Sequence, residues 1–252
     1  MKLYLEFLKQ TTRSTFLSSR IPRYLYQKKY IQKKSITHPV VRLLQEVLEP
    51  RNSIYHTALT LQNAFMHSGT TSNLFLRDNL EWLGMASNWS KFSATAALGV
   101  IHKGDFEEGM TILGPYLPQT GDDSPIQGTE GGALYALGLI HAGCGSGRSV
   151  KNPEAYDDLK QTLFTDSAVA GEVAGYAMGL ILLGTADANI ADEMLTYARE
   201  TQHEKIIRGL AVGVGFIYYR RQEKADATIK LLLAEKVCPS LMFLKPPLIC
   251  LV

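Results

Sequence analysis

The chain has 252 residues, 46% of them apolar and 20% charged, a composition ordinary for a folded soluble protein. Its net charge of +2 hides an asymmetry: residues 1–50 hold ten Lys/Arg against three Glu, and the remaining sixteen Lys/Arg face twenty-one acidic residues, so the larger part carries no nucleic-acid footprint. Cys144, Cys238 and Cys250 are too scattered for a disulfide framework and point to a reducing compartment, and no apolar run nears the roughly eighteen residues of a membrane span.

Residues 1–50 read as a basic, divergent lead-in. "RSTFLSSRIPRYLYQKKYIQKK" has the Arg/Ser character of a mitochondrial presequence. "MKLYLEFLKQ" argues against that, because Glu6 is acidic and Leu3, Phe7 and Leu8 share one helical face. A solvated helix leading into the rest of the chain is the expectation. Residues 51–90 read as a helical segment entering a repeat array. Trp82 and Trp89 flank its "EWLGMASNW" turn; core packing or a partner contact would use both, and packing is the default expectation.

Residues 91–236 form that array. "ALGVIHKG" begins at Ala97, "ALGLIHAG" at Ala136, "AMGLILLG" at Ala177 and "GVGFIYYR" at Gly213. Aligned on Gly99, Gly138, Gly179 and Gly215, each copy carries a tiny residue two places earlier (Ala97, Ala136, Ala177, Gly213) and isoleucine two places later (Ile101, Ile140, Ile181, Ile217). Five places later stands glycine in three copies, Gly104, Gly143 and Gly184, and Arg220 in the fourth. Periods of this length mark stacked supersecondary units. The fold class is all-α, an α-solenoid of about four helix-turn-helix units.

Each unit reads as an apolar helix followed by an amphipathic one. "GGALYALGLIHAG" is apolar nearly all round, so both its faces should be buried. "AYDDLKQTLF" places Tyr156, Leu159 and Leu163 on one face, with Asp157, Asp158 and Lys160 largely elsewhere. Similar second helices centre on Ile190, Met194 and Leu195, then on Ala225, Ile229 and Leu233. Thr201 and Glu204 in "TQHE" have capping-box spacing. Glycine inside a helix costs about 1 kcal/mol against alanine. Four such residues in register therefore predict close backbone approach between neighbouring helices. The later glycine predicts a left-handed helix end.

Catalytic chemistry is sparse. "AGCGSGRS", residues 142–149, approaches a phosphate-binding loop but has Ala142 for the first glycine and Arg148 for the lysine, and it follows a helix rather than a strand. A nucleotide-binding helical domain built on that segment is the alternative reading, and a generic adaptor solenoid is another. His102 and His141 hold equivalent places and would need a third ligand such as Cys144 to bind metal. Leu182 and Tyr218 hold the same place in later copies, so carbonyl-bonded helix-end histidines are the expectation. The acidic "GDD" (residues 121–123) and "YDD" (residues 156–158) read as solvated faces. No nucleophile constellation appears, and no catalytic, cofactor or metal site is expected.

Residues 237–252, "VCPSLMFLKPPLICLV", abandon the helical period, and "KPP" cannot continue a helix. A solenoid normally closes with a polar capping unit, so the chain reads as incomplete.

The glycine/alanine units resemble proteasome/cyclosome repeats. "FLRDNLEWLGMASNWSKFSATAALGVIHKGD", "EGGALYALGLIHAG" and "ETQHEKIIRGLAVG" resemble the family of 26S proteasome non-ATPase regulatory subunit 1, the larger of two related ring-shaped scaffolds of the regulatory particle, over roughly residues 52–236. The resemblance implies a non-catalytic scaffold that regulates an enzyme by assembly. It implies a chain resident in cytoplasm and nucleus that contacts ATPases, ubiquitin receptors and the neighbouring scaffold during ubiquitin-dependent degradation. It implies no cofactor, nucleic acid, membrane or small-molecule substrate. Family members are several times longer and carry one more repeat between Gly143 and Tyr156, so "CGSGRSVKNPE" reads as the join of a truncated form, from splicing or from an imperfect gene model.

Overall fold

In the computed structural model, which describes residues 53–85, 88–118, 128–145 and 154–234, no strand forms among the described residues. The helices are α1 (Ser53–Met66), α2 (Leu74–Asp78), α3 (Leu80–Gly84), α4 (Asn88–Ile101), α5 (Phe106–Leu113), α6 (Gly128–Ile140), α7 (Glu154–Phe164), α8 (Ala168–Ile181), α9 (Ala188–Glu200), α10 (Glu204–Ile217) and α11 (Gln222–Ala234). A 3₁₀ turn, Gly114–Tyr116, follows α5. The basic lead-in 1–50, the "GDD" string, Arg148 and the tail 237–252 lie outside the described residues.

Five helices, α1, α4, α6, α8 and α10, form an inner layer in which each packs on the next in chain order. Their sequences require this. Nine of the fourteen residues of α8 and nine of the fourteen of α10 are buried, more than a single apolar stripe can supply, so neighbours lie on several sides. Closest approaches pair Gly171 with Ile206, Gly175 with Gly209 and Leu210, and Gly179 with Gly213. Residue numbers rise together on both helices, so the neighbours run parallel.

The second helices are amphipathic, and each packs on the inner helix that comes after it: α5 on α6, α7 on α8, α9 on α10. In α7, Ala155, Leu159 and Leu163 are buried while Asp157 and Asp158 face water. In α9, Met194 and Leu195 are buried, and the hydroxyl of Tyr197 reaches back to donate to the Leu163 carbonyl at 3.0 Å. Within the first unit, α2 and α3 hold this place, separated at Asn79, whose side-chain amide donates to the Phe75 carbonyl at 2.7 Å.

The array extends one unit earlier than the glycine register indicates. Helix α1 packs on α4, and the turn after it has Gly69 at φ 65°, five places beyond Ala64. Ala64 therefore occupies the place that Gly99, Gly138, Gly179 and Gly215 hold later. The segment 51–90 contains a unit whose central residue is alanine, invisible to an alignment on glycine. At the other end of the chain, "TQHE" forms no capping box. Helix α10 begins at Glu204 with His203 as an N-cap that offers no side-chain bond. The Thr201 hydroxyl instead donates to Asp166 at 2.8 Å and accepts from the His203 amide at 3.2 Å, so tying two connectors together displaces the capping role.

Candidate functional site

The repeated glycines and the tiny residues two places before them are two halves of one contact. A Cβ built on Gly99 would lie 2.5 Å from the Ala136 Cα, and one built on Gly138 would lie 2.5 Å from the Ala177 Cα. One on Gly179 would run into the Gly213 backbone. Each central glycine thus faces the tiny residue of the following copy, and any side chain there would overlap backbone rather than a movable group. Ala97, Ala136 and Ala177 are at most 1% exposed, and Gly213 and Gly215 are buried.

The helix ends form a second repeated contact. Gly104, Gly143 and Gly184 have φ of 82°, 78° and 71°, and Arg220 takes the same left-handed turn at 60°. From these turns the chain donates backbone amides to the last carbonyls of the following inner helix: Gly104 to Ile140 (3.1 Å), Gly143 to Leu180 (2.9 Å) and Gly184 to Phe216 (3.0 Å). A companion bond two residues on runs from Thr71 to Ile101, from Gly145 to Ile181 and from Ala186 to Ile217. All four repeat isoleucines are therefore acceptors as well as core residues, each at most 1% exposed. Carbonyls that a helix end leaves open are satisfied across units. Thr71 and Ala186, both left-handed, are positions that no residue-type signal announces.

The connectors add polar ties. Asp166, at φ 52°, accepts from the Tyr197 hydroxyl (3.2 Å) and from Thr201, and its other oxygen lies 3.5 Å from His203 Nε2. Burial and then the Asp166 charge push the Tyr197 phenol up to about 12. On the inner layer, Arg208 and Tyr176 both donate to Glu172, at 2.8 and 3.0 Å. Burial and Glu172 push the Tyr176 phenol to about 12 as well. Lys160 and Glu193 pair between α7 and α9.

The glycine-rich segment cradles no phosphate with the amides described: those of Gly143 and Gly145 are already given to Leu180 and Ile181. His141 Nδ1 donates to the Leu137 carbonyl at 3.0 Å, and its ring stacks on Phe106 at 4.9 Å. Asn73 Nδ2 lies 3.5 Å from His102 Nε2. Among the described residues no group of three His, Cys, Asp or Glu side chains gathers to hold a metal ion. Trp82 is core, stacked on His56 at 3.9 Å. Trp89 is not: it is 77% exposed, edge-on to Phe92.

Comparison with known proteins agrees with this geometry. The proteasome/cyclosome repeat pattern matches residues 132–172 and 173–207, the stretch that holds Gly138 and Gly179. Residues 132–207 thus carry proteasome/cyclosome repeats. Over 76% of its length this repeat chain is 48% identical to the 26S proteasome regulatory subunit rpn2 of Schizosaccharomyces pombe. It is 49% identical to the 26S proteasome non-ATPase regulatory subunit 1 homolog A of Arabidopsis thaliana, again over 76% of its length. The Drosophila melanogaster 26S proteasome non-ATPase regulatory subunit 1 is 44% identical over 74% of it. The chain spans only 23%, 22% and 21% of these relatives, respectively.

Proposed function

We propose that the chain is a scaffold segment of the proteasome regulatory particle and that it acts without catalysis, by holding neighbouring subunits in place. The observation that supports this best is the agreement between the repeat contacts and the similarity to regulatory subunits. The residues that recur are used to set helix against helix, and no described cluster offers chemistry in their place. On this reading the faces of the array contact ATPases, ubiquitin receptors and the neighbouring scaffold, and the chain resides in cytoplasm and nucleus. Half-buried apolar side chains repeat along the inner layer, with Val100, Leu139, Leu180 and Phe216 each one place after the central glycine. They offer a periodic surface suited to subunit contact. Gradient sedimentation of the tagged chain from its own cells, probed for proteasome ATPases, tests the proposal. Co-migration with the regulatory particle is expected, whereas a chain that runs alone as a folded monomer would sink it.

A further inference from the structure

The outer layer is open at its first junction. The second helices of the first two units are short: α2 and α3 have five residues each and α5 has eight, against thirteen in α9. Neither α2 nor α3 packs closely on α5, and between them runs a groove of about 950 Å³. Ala94 and Leu98 of α4 form its floor, with Leu80 and Leu83 on one wall and Ile112 and Tyr116 on the other. Between α7 and α9 the corresponding space is only about 290 Å³ and is bridged by the Lys160–Glu193 pair and by Tyr197. Leu74, Leu80 and Tyr116 on the rims of the larger groove are 50%, 61% and 38% exposed. A small-molecule pocket encloses its ligand; here the apolar lining continues onto the rims, and the occupant must cover both. We propose that this groove docks an amphipathic helix of a partner protein, with an acidic end at Lys91.

Length and charge favour that occupant. The floor from Lys91 to Leu98 is about 10 Å long at 1.5 Å per residue, the span of apolar anchors at i, i+4 and i+7 of a docked helix. Lys91 stands in the first turn of α4. Glu108 stands in the first turn of α5, which turns back from the end of α4. The groove thus has a cation at one end and a carboxylate at the other, and neither forms an ion pair among the described residues. Arg77, also in the lining, makes the groove basic on balance. A helix carries partial positive charge at its N-terminus and negative charge at its C-terminus. Seated with its N-terminus at Glu108 and its C-terminus at Lys91, a helix meets both charges and runs antiparallel to α4, as an outer helix does. This docking site deepens the scaffold reading and rests on it for the partner's being a regulatory-particle subunit. The groove itself can be tested without the proteasome, so the two can fail separately.

The probe is a synthetic helical peptide with leucines at i, i+4 and i+7 and glutamates in its last turn, beside a twin with lysines in their place. Fluorescence anisotropy with the full chain should show the acidic peptide bound more tightly than its twin. Leu80→Asp, at an exposed rim, should weaken its binding about tenfold or more, as loss of a central apolar anchor does. Tyr116→Asp on the other wall takes its place if that variant fails to fold. Lys91→Glu should reverse the preference between the two peptides, which a weakened fold alone cannot do. A photoreactive group at the central leucine should label α2, α3 or α5. Failure of both peptides to bind a chain with an intact thermal transition would overturn the proposal. So would undiminished binding by the rim variants, an unchanged preference in Lys91→Glu, or labelling confined to Leu139 and Leu180 on the inner layer.

Discussion

Between α8 and α10, glycine faces glycine and Ile206, and the contact is apolar backbone against backbone. Between α1 and α4 the same architecture is built from other chemistry: His56, Thr60, Asn63 and Ser90 are buried, Thr57 and Ser90 hydroxyls lie 3.3 Å apart, and Trp82 closes the layer on His56. A parallel inner layer thus has two solutions. One brings helices close by deleting side chains; the other fills the space with side chains that must find partners. Stability in a stacked array is a sum of local terms, so the two junctions should fail independently.

The glycine junction gives the largest effect. Gly179→Leu would drive a side chain into the Gly213 backbone, and overpacking typically costs about 1–3 kcal/mol and more where, as here, only backbone could yield. Loss of a cooperative thermal transition is expected. By contrast Gly84, where a Cβ meets nothing within 4 Å, should accept alanine with no loss of Tm. Equal tolerance at the two sites would remove the close-approach argument.

Next comes the aromatic junction. Trp82→Ala removes a core ring, and such truncations cost about 3–5 kcal/mol. Hydrogen exchange should accelerate in α1 to α4 while α8 to α10 stay protected; uniform acceleration would mean the array melts as one unit. A smaller effect is expected at the connectors. Asp166→Ala leaves Tyr197, Thr201 and His203 without their shared acceptor and should lower stability by about 1–2 kcal/mol. Thr201→Ala in the Asp166→Ala background should then cost less than it does alone, since only its bond from the His203 amide remains to be lost, and full additivity would show that the two side chains act separately.

How far the sequence reveals this structure depends on which signal a residue carries. Gly99, Gly138 and Gly179 are legible because a helix keeps interior glycine only for a reason, and the reason lies one unit away. Gly104 and Gly143 are legible as helix ends. Ala64 is not, since alanine is at home in any helix, and the first unit hides behind it. Thr71 and Ala186 adopt left-handed backbone that their side chains do not favour, and only the bond to the next helix explains them. Thr201 misleads because capping spacing is local, whereas its partner Asp166 is 35 residues away. Trp89 departs from the default because a large apolar residue is expected to be buried, whereas it is exposed at the start of α4.

The smallest effect concerns pH and sharpens the contrast between successive units. His141 is 1% exposed, and burial lowers its pKa from the usual 6.5 against a weaker opposing pull from its bond to Leu137. The folded chain therefore holds a neutral imidazole where the unfolded chain binds a proton. Stability from this site is complete above about pH 6.5 and is lost as pH falls toward the lowered folded value, because protons favour the unfolded state there. Leu182 holds the same place one unit later, fully buried and without a charge to lose. His141→Leu should therefore flatten the dependence of Tm on pH between 7.5 and 5.5, with little change at the upper end. An unchanged slope would place the acid sensitivity of this array elsewhere. A lowered Tm at pH 7.5 alone would mean that the Phe106 stack and the Leu137 bond matter more than the buried proton site.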